Sequence, residues 1–436
     1  MGRSPKHIVR IGVILICVFA GIAGYVIYRA HHYPVFDLRT IDPDGCVQGY
    51  TLVVPVVDDI GLEHEAPNTI YLIDNHAVPV HSWQILGAVQ LAKLKPDGNL
   101  LYATRDRSFP PRAGLREIDP YGNVIWYYPC RIDHDFDVLD NGNILLHSIE
   151  DLDIPEIGPG LIRCSRIDEV TPRKNTVWTW RAEEHLDELS DLTGISFPLD
   201  NPKGLHIIDG AYDWAHNNSC RVIPENRTAL TDSRFRAGNI LFSYCNLNTI
   251  GIIDRESGRI VWAWGADILD GQHDPRMLEN GNVLIFDNGT KRGYSRVLEL
   301  NPVTEEIVWV YDDQSSAAPV FFSEYKSGAQ MLPNGNIFIC QDRYRPVDVM
   351  SKVYHAASRY LLRKRIRSSR LLEVNLSKEI VWEAVIHLKG DGVYGLYQAD
   401  WYSESDLRPL FGILDSPKHW LDEGRIQNLK SLPYIR

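Results

Sequence analysis

A degenerate phrase that recurs six times constrains this chain more than any other feature. Each copy runs from an apolar stretch through a turn to a tryptophan. The first three are Tyr71-Leu72-Ile73-Asp74 to Trp83, Leu115-Arg116-Glu117-Ile118-Asp119 to Trp126, and Ile162 to Trp178. The others are Ile252-Ile253-Asp254 to Trp262, Val297-Leu298-Glu299-Leu300 to Trp309, and Leu371-Leu372-Glu373-Val374 to Trp382. Turns such as Pro120-Tyr121-Gly122-Asn123 and Arg255-Glu256-Ser257-Gly258 lie inside the copies, so each holds a hairpin. A second hairpin precedes it in most copies, turning at Pro96-Asp97-Gly98-Asn99, Asp140-Asn141-Gly142-Asn143, Glu279-Asn280-Gly281-Asn282 and Pro333-Asn334-Gly335-Asn336. Asn-Gly and Asp-Gly pairs tolerate the positive φ that such turns demand. Two hairpins make four strands, and a four-stranded sheet repeated at variable spacing is the signature of a propeller. The expected fold is all-β, a six-bladed β-propeller.

The repeat divides the chain. Residues 1–10 carry Arg3, Lys6 and Arg10, and residues 11–28 are uncharged and largely apolar, close to the length of a spanning helix. Positive charge ahead of that run predicts a single transmembrane anchor with a cytoplasmic N-terminus and a periplasmic or extracellular propeller. The rival reading is a cleaved signal peptide, with Gly21 and Ala23 as small residues of a cleavage site. Residues 29–45 read as a linker and 46–392 as the propeller, interrupted by insertions at 182–214 and 342–369 that wall one face or form plain surface loops. Residues 393–436 read as an extension packed on the outside. The 57 acidic against 45 basic residues give a net charge of −12, which argues against a nucleic-acid partner. Six cysteines lie beyond the anchor, in a compartment that permits disulfides, but with no CxxC or Cys/His metal spacing.

Counting back seven residues from each first-hairpin turn reaches the start of the innermost strand, beside the central channel. The residues found are Gln90, His134, Asn218, His273 and Ser327, all polar; for Asn218 the matching turn is Pro224-Glu225-Asn226. His216 stands two residues before Asn218 and points the same way in an extended strand. Three histidines and an asparagine thus converge at one mouth of the channel. Wet propeller channels often use such residues only to bind water. Three histidines can also bind zinc. Here they come from different blades, and the carboxylates beside them, Asp135 and Asp274, are one residue off and face away, so no metal site is expected.

At these residues the chain resembles the bacterial arylsulfotransferases, the phosphoadenosine-independent aryl-sulfate sulfotransferases. The matching phrases are Trp214-Ala215-His216-Asn217-Asn218, Gly271-Gln272-His273-Asp274 with Phe286-Asp287-Asn288-Gly289, and Ser327-Gly328-Ala329-Gln330 with Pro333-Asn334-Gly335-Asn336, within a resemblance spanning roughly residues 45–400. It implies a periplasmic propeller that carries a sulfuryl group from an aryl sulfate donor to a phenolic acceptor by a ping-pong mechanism, with no cofactor. It places the nucleophile at His273, acid/base or oxyanion-donor roles at His216 and His134, and substrate contacts at Asn218, Asn288 and Cys245. A neutral imidazole nitrogen can attack sulfur once its partner nitrogen is oriented by a hydrogen bond. Cys245, in Ser243-Tyr244-Cys245-Asn246, stands where the family commonly has a sulfate-contacting arginine. The alternative, from a different class, is a non-catalytic propeller that binds a ligand or protein partner outside the cytoplasm.

Overall fold

The computed structural model describes residues 35–57, 67–104, 113–199, 206–208, 210–313, 321–345, 366–389 and 393–414. The expected anchor at 11–28 lies outside them. Among the described residues no helix is long and apolar enough to cross a membrane.

Six sheets, each a blade of four antiparallel strands with additions in blades 3 and 6, form the propeller. Their innermost strands are Val393–Tyr402 in blade 1, Val89–Leu94 in blade 2 and Ile132–Val138 in blade 3, then Asn217–Val222, His273–Met277 and Gly328–Met331 in blades 4 to 6. The six tryptophans that set the repeat all lie on the fourth strands, Pro79–Leu86, Val124–Pro129, Thr176–Arg181, Ile260–Trp264, Glu306–Tyr311 and Ile380–Lys389.

The repeat has a physical reason at each conserved-looking place in it. The last residue of the first-hairpin turn reaches across to a glutamate on the third strand: Asn99 to Glu117 (2.8 Å), Asn282 to Glu299 (2.6 Å), Asn336 to Glu373 (2.7 Å), and Asn143 to Glu169. On the fourth strand an aromatic N–H donates to a turn carbonyl of the next blade. Trp126 reaches Pro172 (2.9 Å), Trp180 reaches Gly258 (2.8 Å), Trp309 reaches Leu376 (3.2 Å) and Trp382 reaches Asn75 (2.7 Å). His81 pairs with Pro120 in the same way from blade 1, at 3.0 Å. Each such bond nets roughly 1 kcal/mol, and together they fix the angle between neighbours. Apolar side chains fill the space inside them. Leu241, Ile252 and Trp262 of blade 4, for example, pack on Val283, Ile285 and Leu298 of blade 5.

Several expected boundaries are corrected. Residues 393–402 are no outer extension: they form the innermost strand of blade 1, paired with Tyr50–Val57, so the two ends of the chain close the ring in one sheet. Among the described residues of this stretch, the helix Glu404–Ile413 packs outside, capped by Ser403 and Asp406, with Leu407 and Leu410 buried against blades 1 and 2. Residues 35–41 belong to no linker; they add a fifth strand to blade 6. The insertion at 342–369 is shorter than expected, because Ile337–Tyr344 and Ile366–Val374 continue as paired strands. In blade 4 the first hairpin closes at Ile223, Gly238 and Asn239, so Pro224-Glu225-Asn226 begins an inserted loop and is not the turn itself. The insertion at 182–214 forms a short helix, Leu186–Thr193, and a hairpin ending at Ala211–Asp213 beside blade 3. All six described cysteines are free thiols.

Candidate active site at the mouth of the channel

Five inner strands carry a register shift at their start. His134, His216 and Asp274 take positive φ values of 55°, 49° and 51° there, and Lys326 and Ser327 take 63° and 80°. Such backbone costs of order 1–3 kcal/mol per residue and persists where the surroundings impose it. Its effect is to break the alternation of side chains. Asp135 and Asp274, expected to face away, therefore turn into the channel.

They join a buried ionic floor three residues or fewer beyond the ring. Lys93 lies 3.4 Å from both Asp135 and Asp137, and Arg221 lies 2.7 Å from Asp274. Arg276 bridges Asp274 (3.0 Å) and Asp400 (2.6 Å). Burial alone would raise the Asp400 carboxyl, but Arg276, Arg221 and Lys93 hold it down to about 2. Arg276 is committed to this floor.

His273 lies above it, 4% exposed. Its Nδ1 is 2.8 Å from Asn288 Oδ1 and 3.0 Å from the Gly271 carbonyl. The Asn288 amide donates to the carbonyls of Ser323 and Lys326, both at 2.9 Å, so its oxygen must face the imidazole. Nδ1 is therefore the protonated nitrogen, and Nε2 carries the lone pair, 3.3 Å from the main-chain N–H of Lys326. Burial, opposed by the Asn288 hydrogen bond and reinforced by His216 and His134, pushes the His273 pKa down to about 3. The ring is neutral at physiological pH.

The flanking phrases hold this arrangement. Gln272 donates to Ser243 Oγ (3.1 Å) and to the carbonyls of Tyr244 (3.2 Å) and Thr249 (3.0 Å), fastening blade 5 to blade 4 just ahead of His273. Asp287 pairs with Arg296 at 2.7 Å and Arg292 at 3.1 Å, and Gly289, at φ 71°, is a position where a Cβ would strike the Tyr294 carbonyl.

His216 and His134 meet edge to face, with ring centroids 4.4 Å apart. Each has a carboxylate at Nδ1: Asp213 for His216, and Asp133, at 2.8 Å, for His134. Against burial, His216 keeps the Asp213 carboxyl below its usual range. Asn218 donates to the Gln272 carbonyl at 2.8 Å and so aligns the strand of His273. Cys245 is partly exposed and holds its place through a main-chain bond to the His216 carbonyl at 3.1 Å. Burial, with Asp213 and Asp270, pushes its thiol up to about 12, so it is neutral.

Three contributors escaped sequence reasoning: Tyr397 and the carboxylates Asp133 and Asp213. Tyr397, from the closing strand, stands between the histidines, with ring centroids 5.8 Å from His134 and 6.2 Å from His273, and donates to the Asn218 carbonyl at 3.0 Å. Its signal was the alanine two places further on, Ala399, matching Ala92 and Ala329 after Gln90 and Ser327. Asp213 comes from the end of the insertion, where no repeat register reaches.

Among solved structures, the chain is similar to a protein of unknown function from Bacteroides caccae, with 16% identity, coverage of 82% of this chain and 100% of that one, and a TM-score of 0.45. It is also similar to a protein from Lactobacillus plantarum (8% identity, 82% and 100% coverage, TM-score 0.41) and to apo AztD from Citrobacter koseri (9%, 82% and 99%, TM-score 0.37). No curated protein matches. Residues 127–347, just over half of the chain and including His134, His216, His273 and Asn288, match the family model described as Arylsulfotransferase (ASST). The chain belongs to the arylsulfotransferase family.

Proposed function

We propose that this chain transfers a sulfuryl group from an aryl sulfate to a phenolic acceptor in two steps, through a sulfohistidine at Nε2 of His273. The observation that carries the reading is the hydrogen bond from His273 Nδ1 to Asn288 Oδ1, from an amide whose donors are already spent on two carbonyls. It leaves a neutral ring with one nitrogen ready to attack. In the first step the Nε2 lone pair forms a bond to sulfur while the sulfur–aryl oxygen bond breaks, and its electron pair leaves on the phenolate. A proton from His216 or His134, each backed by a carboxylate, neutralises that oxygen. The phenolic acceptor then attacks sulfur, returns a proton to the same imidazole, and the N–S electron pair goes back to Nε2. The main-chain N–H of Lys326, beside Nε2, and the two imidazoles supply donors for the non-bridging oxygens.

The test is to incubate the full-length protein with a chromogenic aryl sulfate and a phenol, alongside His273→Asn. Phenol release by the wild type alone, with a sulfuryl adduct mapped to His273 by mass spectrometry, is the expected result. An adduct on another residue would refute the assignment, and no turnover across a range of acceptors would favour a non-catalytic binding propeller. The same proposal takes residues 11–28 as a single membrane anchor with the propeller on the periplasmic or extracellular side. The apolar run and the preceding Arg3, Lys6 and Arg10 support it, and retention in carbonate-washed membranes, lost on deleting residues 1–28, checks it.

A further inference from the structure

Behind the mouth, in blade 3, the first two strands pair Leu146 with Phe136 and Ser148 with Ile132. Three residues, Asp133, His134 and Asp135, are therefore packed opposite one, His147. Asp135 goes to the ionic floor. The other two stay with His147: one donor atom from each of Asp133, His134 and His147 lies within 4.8 Å of the others, and all three residues are buried. This is the carboxylate that the sequence did not supply. Register put Asp135 beside the histidines, whereas the shift at positive φ brings Asp133 there.

The geometry points to a binding site for a divalent transition-metal ion formed by Asp133, His134 and His147. His147 supplies the second, independent observation. Its Nδ1 is 2.8 Å from the Asp133 main-chain carbonyl, which can only accept, so Nδ1 is protonated and Nε2 holds the lone pair. That Nε2 is buried with no partner among the described residues, in a residue 1% exposed. A neutral imidazole with one nitrogen donating to a main-chain carbonyl and the other left with its lone pair is the prepared state of a metal ligand. For a histidine with no such purpose, a buried unsatisfied nitrogen costs about 1–3 kcal/mol with nothing in return. Two imidazoles and a carboxylate suit zinc and its neighbours in the first transition row, with a fourth position left for water or substrate. The charge balance also suits a cation. Asp213 lies close enough to Asp133 for the two carboxylates to repel, and Arg163, which interacts with both, is anchored to Asp151 at 2.9 Å. An ion here would place positive charge behind His134, on the side of the mouth where Cys245 stands in place of a cation. With the ion bound, Asp133 and one nitrogen of His134 are taken up as ligands, and the proton of the proposed transfer comes from His216 with Asp213; the site does not require turnover at His273.

The test uses the untagged full-length chain, stripped with a chelator and titrated calorimetrically with Zn2+, and separately with Ca2+. One Zn2+ per chain, with Ca2+ at least a hundredfold weaker, is expected. His147→Ala and Asp133→Asn should each weaken Zn2+ binding at least tenfold, while His273→Asn leaves it unchanged. Thermal melts show whether each variant is folded. If a variant is not, Co2+ added to the wild type provides the second measurement, since three nitrogen and oxygen ligands plus water give the strong visible bands of a four-coordinate ion. Absence of stoichiometric Zn2+ binding, equal affinity in the folded His147→Ala and Asp133→Asn variants, or only the weak bands of six-coordinate Co2+ would each overturn the assignment.

Discussion

Replacing Asn288 by alanine withdraws the acceptor from His273 Nδ1 and both donors from the carbonyls of Ser323 and Lys326. As Nε2 bonds to sulfur the ring gains positive charge, so the Nδ1 bond becomes charge-assisted, a class worth roughly 1.5–3 kcal/mol. At about 1.4 kcal/mol per decade, sulfuryl uptake should slow roughly ten- to a hundredfold. The Gly271 carbonyl, 3.0 Å from the same nitrogen, keeps the ring in its tautomer and caps the loss. Stability suffers separately, since each stranded carbonyl costs about 1–3 kcal/mol until water reaches it. Asn288→Asp separates acceptance from charge. The carboxylate still accepts from Nδ1, but its negative charge raises the His273 pKa from about 3, and a protonated ring cannot attack. In this variant uptake should fall as the pH is lowered, over a range where the wild-type nucleophile stays unprotonated. The assay is the single-turnover release of a chromogenic phenolate, read beside a thermal melt. An Asn288→Ala protein that melts cooperatively and takes up the sulfuryl group at the wild-type rate would refute the reasoning.

Other outcomes follow from the same structure. Cys245→Arg should raise kcat/KM for aryl sulfates about tenfold or more, because a fixed donor at a developing oxyanion is worth roughly 3 kcal/mol in the transition state; steady-state kinetics checks it. Asp400, held at about 2 against the ordinary 3.8, contributes stability that is complete above 3.8 and lost as pH falls through 2, roughly 2 kcal/mol in all. The wild-type Tm should therefore fall more steeply than that of Asp400→Asn between pH 5 and 2. Ending the chain at Gly392 removes the inner strand of blade 1 and should abolish cooperative unfolding in a calorimeter; a wild-type melt would show that the strand is dispensable.

The blades were legible because the residues that build them are tied to local turns. Asn99, Asn143, Asn282 and Asn336 each end a short hairpin and reach a glutamate on the same sheet, so their spacing survives in the sequence. His134 and His273 followed from the same spacing, whereas Asn218, and His216 beside it, were reached by counting from a triplet that is not the turn. Blade 1 was not read completely, because its inner strand comes from the far end of the chain and has no hairpin turn to count back from. Tyr397 was missed with it. Asp133 and Asp213 were missed for different reasons. A period-two count cannot see a residue displaced by positive φ, as around His134, and Asp213 is delivered by an insertion with no counterpart in the other blades.

The closing strand also gives the protein a clock. Tyr50–Val57 leaves the ribosome about 340 residues ahead of Val393–Tyr402, its partner along one edge. At ~5–20 residues per second, that edge waits unpaired for about 17–70 s. An open strand edge invites pairing with other chains until its partner arrives. Tyr397 completes the circle of side chains around His134 and His273 only when this last strand docks. A nascent polypeptide that stops short of Val393 thus carries every histidine of the mouth yet lacks the strand that sets them in place, which ties the assembly of the mouth to the arrival of Val393–Tyr402.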